Sequence, residues 1–328
     1  MKIAYLSLVL LAACNLAPHY SVPATPAPEG YKEAAPSAFS DLPPGTWQPA
    51  QPQDSVIKGK GWEMFNEPEL DSLEERLNIN NQTIAIAFQN YMAARAEVGE
   101  ARAGYFPTVS TSPTYTRGGE GSVAAAAHSG QVAVAGGTGA PANFYSLPLD
   151  ASWAPDLFDR VRNTVRAAQY AAQVSAADLE NERLAEQASL AELYFELRGQ
   201  DALQGLYDST IAAYRQNLNL TRNLYQNGID SQEAVDEAEV TLRNAEATAV
   251  GIATNRAIYE HAIATLIGTP APGFSMPVHS LNTQPPPIPV GVPSQLLQRR
   301  PDIAAAERTM AQANALIGVQ KAAFFPSL

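Results

Sequence analysis

The 328-residue chain carries 21 basic and 33 acidic side chains, a net charge of −12, and is 46% hydrophobic but only 16% charged, against about 25% charged for an average soluble domain. The acidic balance argues against nucleic acid as a partner, because phosphate binding needs clustered Lys and Arg, and no apolar run of about 18 residues exists to make a membrane helix. A single cysteine and four scattered histidines, His19, His128, His261 and His279, exclude a disulfide framework and give no metal-ligand spacing. No cofactor, no metal and no catalysis are expected, since neither a Gly-x-Ser-x-Gly phrase nor a paired-carboxylate constellation stands out.

Met1-Lys2, the apolar stretch Ile3 to Leu11 and the small pair Ala12-Ala13 have the layout of a signal peptide covering residues 1–13. Leu11-Ala12-Ala13-Cys14 resembles a bacterial lipobox, in which the cysteine thiol takes a thioether-linked lipid. The sole cysteine falls at that one position, so Cys14 is read as the lipidated mature N-terminus; an ordinary signal peptide with a chance cysteine is the plainer alternative. Asn15 follows, where an Asp commonly retains lipoproteins at the inner membrane, so the outer membrane is expected. Residues 15–53 hold nine prolines and no helical period, and 14–60 together read as a lipid-anchored extended tether.

Residues 61–269 form the first large unit, opening with a helix expected over 68–104. Period-two patterning then marks two strands, about 106–117 and 143–153. In the first, Thr108, Ser110, Ser112, Thr114 and Thr116 alternate with Val109, Thr111, Pro113 and Tyr115; in the second, Tyr145, Leu147, Leu149, Ala151 and Trp153 alternate with Ser146, Pro148, Asp150 and Ser152. Their length suits tilted transmembrane strands, with Tyr and Trp near the ends where a lipid interface would hold them. Pro113 and Pro148 weaken a ladder, and a solvent-exposed hairpin is the alternative.

Between Pro155 and Pro270 lie 114 residues without proline, rich in Ala, Leu, Glu, Gln and Arg, as long uninterrupted helices require. The turn signal Asn227-Gly228-Ile229-Asp230-Ser231 divides them into a long helix, 156–227, and a return helix, 231–267. Val235, Ala238, Leu242, Ala245, Ala249, Ile252, Arg256, Tyr259, Ile263 and Leu266 follow three- and four-residue steps, a coiled-coil seam with one charged member. A break at Gly199-Gln200 or Gly205, giving a compact three-helix bundle, is the alternative.

Residues 270–293 hold eight prolines and read as a connector. Beyond it, 294–328 repeat an earlier stretch. Shifted by 219, Leu77 to Val109 aligns with Leu296 to Leu328, and both copies end on the phrase Gly-x-x-basic-Ala-x-aromatic-Phe-Pro, at Gly99 to Pro107 and Gly318 to Pro326. The second copy stops two residues after that phrase, so the chain is expected to be C-terminally truncated, lacking further strands and a second hairpin.

Leu296 to Glu307, including Arg299-Arg300-Pro301-Asp302-Ile303, resembles the TolC-like outer membrane factor family, particularly its lipidated, NodT-type efflux subunits. Ala313 to Gly318, Phe324-Phe325-Pro326-Ser327, Trp62 with Phe65 and Leu70, Ser152-Trp153 through Phe158, and Tyr225 to Gly228 carry the resemblance over nearly the whole mature chain. It implies a mainly α fold with a transmembrane β portion. Long coiled-coil hairpins would form a periplasmic tunnel, and the strands would contribute to a trimeric outer-membrane β-barrel. It further implies a homotrimer in outer-membrane lipid, working with a periplasmic adaptor (a membrane fusion protein) and an inner-membrane pump of the resistance-nodulation-division type to export drugs or other small molecules. On this reading Leu224, Tyr225, Asn227, Gly228, Ile229 and Ser231 form the adaptor-facing tip. Asp230, Glu233, Asp236 and Glu237 either line the tunnel or form a solvated helix face. Arg299, Arg300, Pro301, Asp302 and Glu307 are structural: Pro301 suits a first helical turn and Asp302 complements the dipole. Asp159 stands where the family usually has Gly. A type I protein secretion channel and a non-pore periplasmic scaffold or adaptor lipoprotein are the other functions carried forward.

Overall fold

The computed structural model describes residues 15–22, 60–118, 142–281 and 300–326. Among the described residues five α-helices and four short strands follow in chain order: α1 Pro68–Asn80, α2 Gln82–Ala103, β1 Thr108–Thr111, β2 Thr114–Gly118, β3 Ala142–Ser146, β4 Leu149–Ser152, α3 Arg160–Gln226, α4 Gln232–Leu266 and α5 Pro301–Ala322. The signal peptide, Cys14, most of the tether, Arg299 and most of the proline-rich connector lie outside the described residues. Contacts divide the chain into two compact units, one holding residues 97–168 and 313–328 with the segment up to His19, the other holding 20–96 and 169–312.

The helix expected over 68–104 is two helices. Asn81 takes extended backbone, φ −67° and ψ 125°, and its side-chain oxygen accepts the Ile84 N–H at 3.0 Å, so it is the N-cap of α2. Its amide nitrogen donates to the Leu266 carbonyl at 3.1 Å and to Glu186 at 2.9 Å. Every polar atom of this buried side chain thus has a partner, and the break joins α1 and α2 to both arms of the hairpin. Around it, Leu70, Leu73 and Leu77 of α1 pack with Leu190, Tyr194 and Leu197 of α3 and with Ile263 of α4 to form the larger apolar core. Fully burying side chains of this size is worth about 1.5–3 kcal/mol each.

The long helix begins at Arg160 rather than 156, because Asp159 has a left-handed φ of 55°. Asp156 Oδ2 accepts the Arg162 N–H at 2.8 Å and helps satisfy the helix start. The family's usual glycine at Asp159 has a physical cause here: glycine enters the left-handed region freely, and Asp is among the few other residues that tolerate it. The helix runs without interruption through Gly199 and Gly205 to Gln226, so the compact bundle broken at either glycine does not form. At about 1.5 Å per residue its 67 residues extend roughly 100 Å.

Opposite it, all ten seam positions of α4 are buried or half-buried. Ile211 and Leu218 pack with Val235, Leu242, Ala245 and Ala249, flanked by Tyr207, Tyr214 and Ala238. α4 ends in a second left-handed glycine, Gly268 at φ 67°, with Thr269 N–H reaching the Ala264 carbonyl at 2.8 Å. A Cβ there would sit 2.8 Å from the Asn80 carbonyl oxygen, so glycine also permits the close approach to the end of α1.

Candidate functional site

The strand hairpin departs from two continuous strands. β1 pairs with β4 and β2 with β3, both antiparallel, and the ladder is interrupted at Ser112-Pro113 and Leu147-Pro148. The register passes through the break unchanged: Thr111 lies opposite Leu149 before it and Thr114 opposite Ser146 after it. Each proline lacks the N–H that the ladder needs, so hydrogen bonding stops while alignment persists, aided by Thr111 Oγ1 donating to the Pro148 carbonyl at 2.8 Å.

That register gives the hairpin two unlike faces. Val109 lies opposite Ala151, Thr111 opposite Leu149 and Tyr115 opposite Tyr145, while Thr108 meets Ser152, Ser110 meets Asp150 and Thr114 meets Ser146. Since side chains alternate across a strand, over the pairs from Thr108–Ser152 to Tyr115–Tyr145 one face is largely apolar and the other mostly polar, and the register then sets Thr116 opposite Phe144 and Arg117 opposite Asn143. The apolar face is uncovered: Tyr145 is 79% and Leu149 75% exposed. Tyr115 and Tyr145 lie 5.1 Å apart, centroid to centroid. Beyond β4, Trp153 donates its indole N–H to the Tyr105 carbonyl at 3.1 Å, fixing the two chain ends of the hairpin together.

The far end of the helical hairpin is built by backbone hydrogen bonds. Gly228, at φ 72°, donates to the Tyr225 carbonyl at 2.9 Å, and Ile229 donates to the Leu224 carbonyl at 3.0 Å; together these form a Schellman end to α3. Asn227 closes the turn by donating its side-chain amide to the Asn223 carbonyl at 2.7 Å. Ser231 then caps α4, its hydroxyl accepting the Ala234 N–H at 3.2 Å. Leu224 is half-buried against the hairpin, whereas Tyr225 and Ile229 are 44% and 74% exposed. The turn therefore presents an apolar residue on a rigid support. Asp230, Glu233, Asp236 and Glu237 are all exposed around the first turns of α4. Asp230 accepts the Ser231 N–H and Asp236 the Gln232 side-chain amide, each at 2.8 Å, and their charges favour the positive end of the helix.

At the start of α5, Pro301 occupies the first helical position. Arg300 holds the Asp302 carboxylate through two hydrogen bonds of 3.0 and 2.6 Å, which keep its pKa below the ordinary carboxylate value, and Asp302 accepts the Ile303 N–H at 2.9 Å. Glu307 accepts the Tyr20 hydroxyl at 2.6 Å.

Sequence patterning missed a buried ion network between α1, α3, α4 and the start of the connector. Arg198, with a fully buried side chain, donates to Asp201 at 2.9 Å and to the Pro277 carbonyl at 2.7 Å, and pairs with Glu69. Arg256, the charged member of the seam, donates to Asp201 at 2.6 Å, to Glu260 at 3.1 Å and to the Met276 carbonyl at 2.9 Å. Its place in an apolar repeat was the available signal. Glu74 is also fully buried, with neither carboxylate oxygen hydrogen-bonded; burial, assisted by Asp71, pushes its pKa up to about 8. Among the described residues no cluster of His, Cys, Asp or Glu could hold a metal ion, and no helix is long and apolar enough to cross a membrane.

Residues 73–269, more than half of the chain, match the family described as outer membrane efflux protein. The chain belongs to that family. Outer membrane efflux proteins are transporters rather than enzymes. The toluene efflux pump outer membrane protein TtgC of Pseudomonas putida is 30% identical over 97% of this chain and 63% of its own length. Nodulation protein T of Rhizobium leguminosarum bv. trifolii is 27% identical over 98% of this chain and 64% of its own. This chain thus spans a little under two thirds of the length of these relatives. The solved outer-membrane channel OprN superposes with a TM-score of 0.75 at 27% identity, covering 96% of this chain and 66% of that one. The fold is accordingly that of an outer-membrane channel protein, mainly helical with a strand portion.

Proposed function

We propose that the chain is the outer-membrane channel subunit of a tripartite efflux pump, a passive duct for drugs or other small molecules. The observation that carries this reading is the strand hairpin, whose largely apolar face is exposed from Val109 to Tyr115 and whose opposite face there is mostly Thr, Ser and Asp. In a membrane barrel the first face meets lipid and the second lines the lumen. A non-pore scaffold would leave those apolar side chains facing water. Names of relatives such as TtgC support the efflux assignment over type I protein secretion.

We take the assembly to be a homotrimer, as the resemblance to TolC-like outer membrane factors implies; the hairpin's two open edges call for neighbouring strands to close them. The exposed turn around Ile229, with Leu224, Tyr225, Asn227, Gly228 and Ser231, docks a periplasmic adaptor, which couples the duct to an inner-membrane pump of the resistance-nodulation-division type. The acidic group Asp230, Glu233, Asp236 and Glu237 faces water, either in the tunnel or beside it. Cys14 carries the lipid that holds the N-terminus at the outer membrane, and Arg300, Pro301, Asp302 and Glu307 order a second repeat. Reconstitution of the full-length gene product into lipid tests the pore reading. A heat-modifiable, trimeric, β-rich species is expected; a protein that stays soluble once residues 1–14 are removed would establish the scaffold instead.

A further inference from the structure

The phrase Gly-x-x-basic-Ala-x-aromatic-Phe-Pro, which the chain carries twice, folds the same way in both copies. After α2, the N–H groups of Gly104, Tyr105 and Phe106 donate to the carbonyls of Ala101, Arg102 and Ala103; after α5, those of Ala323, Phe324 and Phe325 donate to Gln320, Lys321 and Ala322. These backbone bonds account for the turn without any side chain. Both copies nevertheless put a basic residue in the last helical turn, Arg102 and Lys321, and two exposed aromatic side chains after it, Phe106 at 69% and Phe324 at 89% being the barest. The two phrases flank the start of α3. A Cβ on Gly104 would lie 3.1 Å from Val161 Cγ1, and Phe325 stacks on Phe158 with centroids 4.6 Å apart. Trp153, exposed at the end of the strand hairpin, donates to the Tyr105 carbonyl. Three helix ends and the base of the hairpin thus meet at one level.

The charge at that level opposes the charge of the chain. Residues 101–107, 153–162 and 320–326 hold four basic side chains and two acidic ones, within a chain of net −12. Both acids are engaged, Asp156 on the Arg162 N–H and Asp159 on the Arg162 side chain; the next acids, Glu100 on α2 and Asp150 on β4, lie just outside these segments. Among the described residues, the exposed side chains of Arg102, Arg160 and Lys321 have no ion-pair or hydrogen-bond partner. Helix dipoles account for Arg102 and Lys321, which sit at negative ends, but not for Arg160 and Arg162, which open the longest helix with no acid in its first turn. Cations at a positive helix end call for an anion. We infer that this collar of bare aromatics and free cations is a phospholipid-headgroup surface, seating the base of the strand hairpin against an anionic membrane face. Aromatic rings settle at headgroup level, and Lys and Arg extend their charge to the phosphates. The inference rests on the pore reading, since only strands in lipid bring their base to its surface.

Flotation of the full chain, diluted from detergent into vesicles of phosphatidylcholine alone or with about one third phosphatidylglycerol, tests it. The phosphatidylglycerol vesicles should take up more of the chain, and the excess should shrink about fivefold in each of Arg102→Gln, Arg160→Gln and Lys321→Gln, the weight of one basic residue at an anionic surface. Arg215→Gln, which removes the partner of Glu246 within the helical hairpin, should leave the excess unchanged, and Phe324→Ala should lower uptake by both vesicle types. Equal uptake by the two types, or an excess that the three substitutions leave intact, would overturn the collar and leave the pore reading standing. No uptake by either type would overturn both. Loss of the excess on adding inorganic phosphate at constant ionic strength would assign the cations to a free anion instead.

Discussion

Toward its turn, the α3–α4 hairpin is held by an apolar seam, Ile211 and Leu218 against Val235, Leu242, Ala245 and Ala249, with ion pairs such as Arg222–Glu239 left on the surface. Nearer α1, the same two helices are joined by buried charge, with Arg198 and Arg256 sharing Asp201 and reaching Glu69 and Glu260. A seam needs only a second helix, and two helices suffice wherever water surrounds the pair. Buried charge needs partners from every side, and here α1 and the backbone carbonyls of Met276 and Pro277 supply them. One stretch is therefore a local device that tolerates exposure, while the other is a junction that fixes four segments of chain at once.

Three substitutions probe that contrast. The largest effect belongs to Arg198→Met, which leaves Glu69 and Asp201 short of a buried counter-charge and should cost about 3–5 kcal/mol, measured by urea unfolding followed by circular dichroism. A loss below about 1 kcal/mol would erase the distinction between junction and seam. Leu242→Ala in the seam should cost about 2–3 kcal/mol, at the lower end for buried Leu because the half-open hairpin can close around the gap. The gentlest effect, read per pH unit, is a slope from Glu74. Its carboxyl keeps its proton in the fold up to about pH 8, against an ordinary value of 4.5. Between those values the unfolded chain releases a proton that the fold retains, so stability falls as pH rises, by at most about 1.4 kcal/mol per unit, and is flat on either side. Glu74→Gln should remove that slope and match the native chain near pH 4; an unchanged slope would show that Glu74 is ionised or solvated.

What the sequence revealed follows the same division. The heptad seam and the Gly228 turn depend on residues close in sequence or at a fixed period, and both were legible; the cap of α4 was legible only as Asp230 or Ser231. The alternation of the strands was legible too, although not their matched interruption, which depends on Pro113 and Pro148 falling opposite their partners' break. Asn81 was hidden inside an apparently continuous helical pattern, because its role depends on Leu266 and Glu186 more than a hundred positions away. The Arg198 network was unreadable for the same reason. Only Arg256, a charge in an apolar repeat, and Asp159, out of keeping with the resembling family, flagged tertiary structure in advance, and both mark real features: a buried ion pair and a left-handed residue.

The central claim is that this outer-membrane protein forms the exit duct of an efflux pump. Its most direct test is intracellular accumulation of a fluorescent pump substrate in the native host with the gene deleted and then restored. The account predicts higher accumulation and greater drug susceptibility in the deletion strain, both reversed on restoration. Unchanged accumulation and susceptibility would contradict it, and loss of an exported protein in their place would assign the duct to protein secretion.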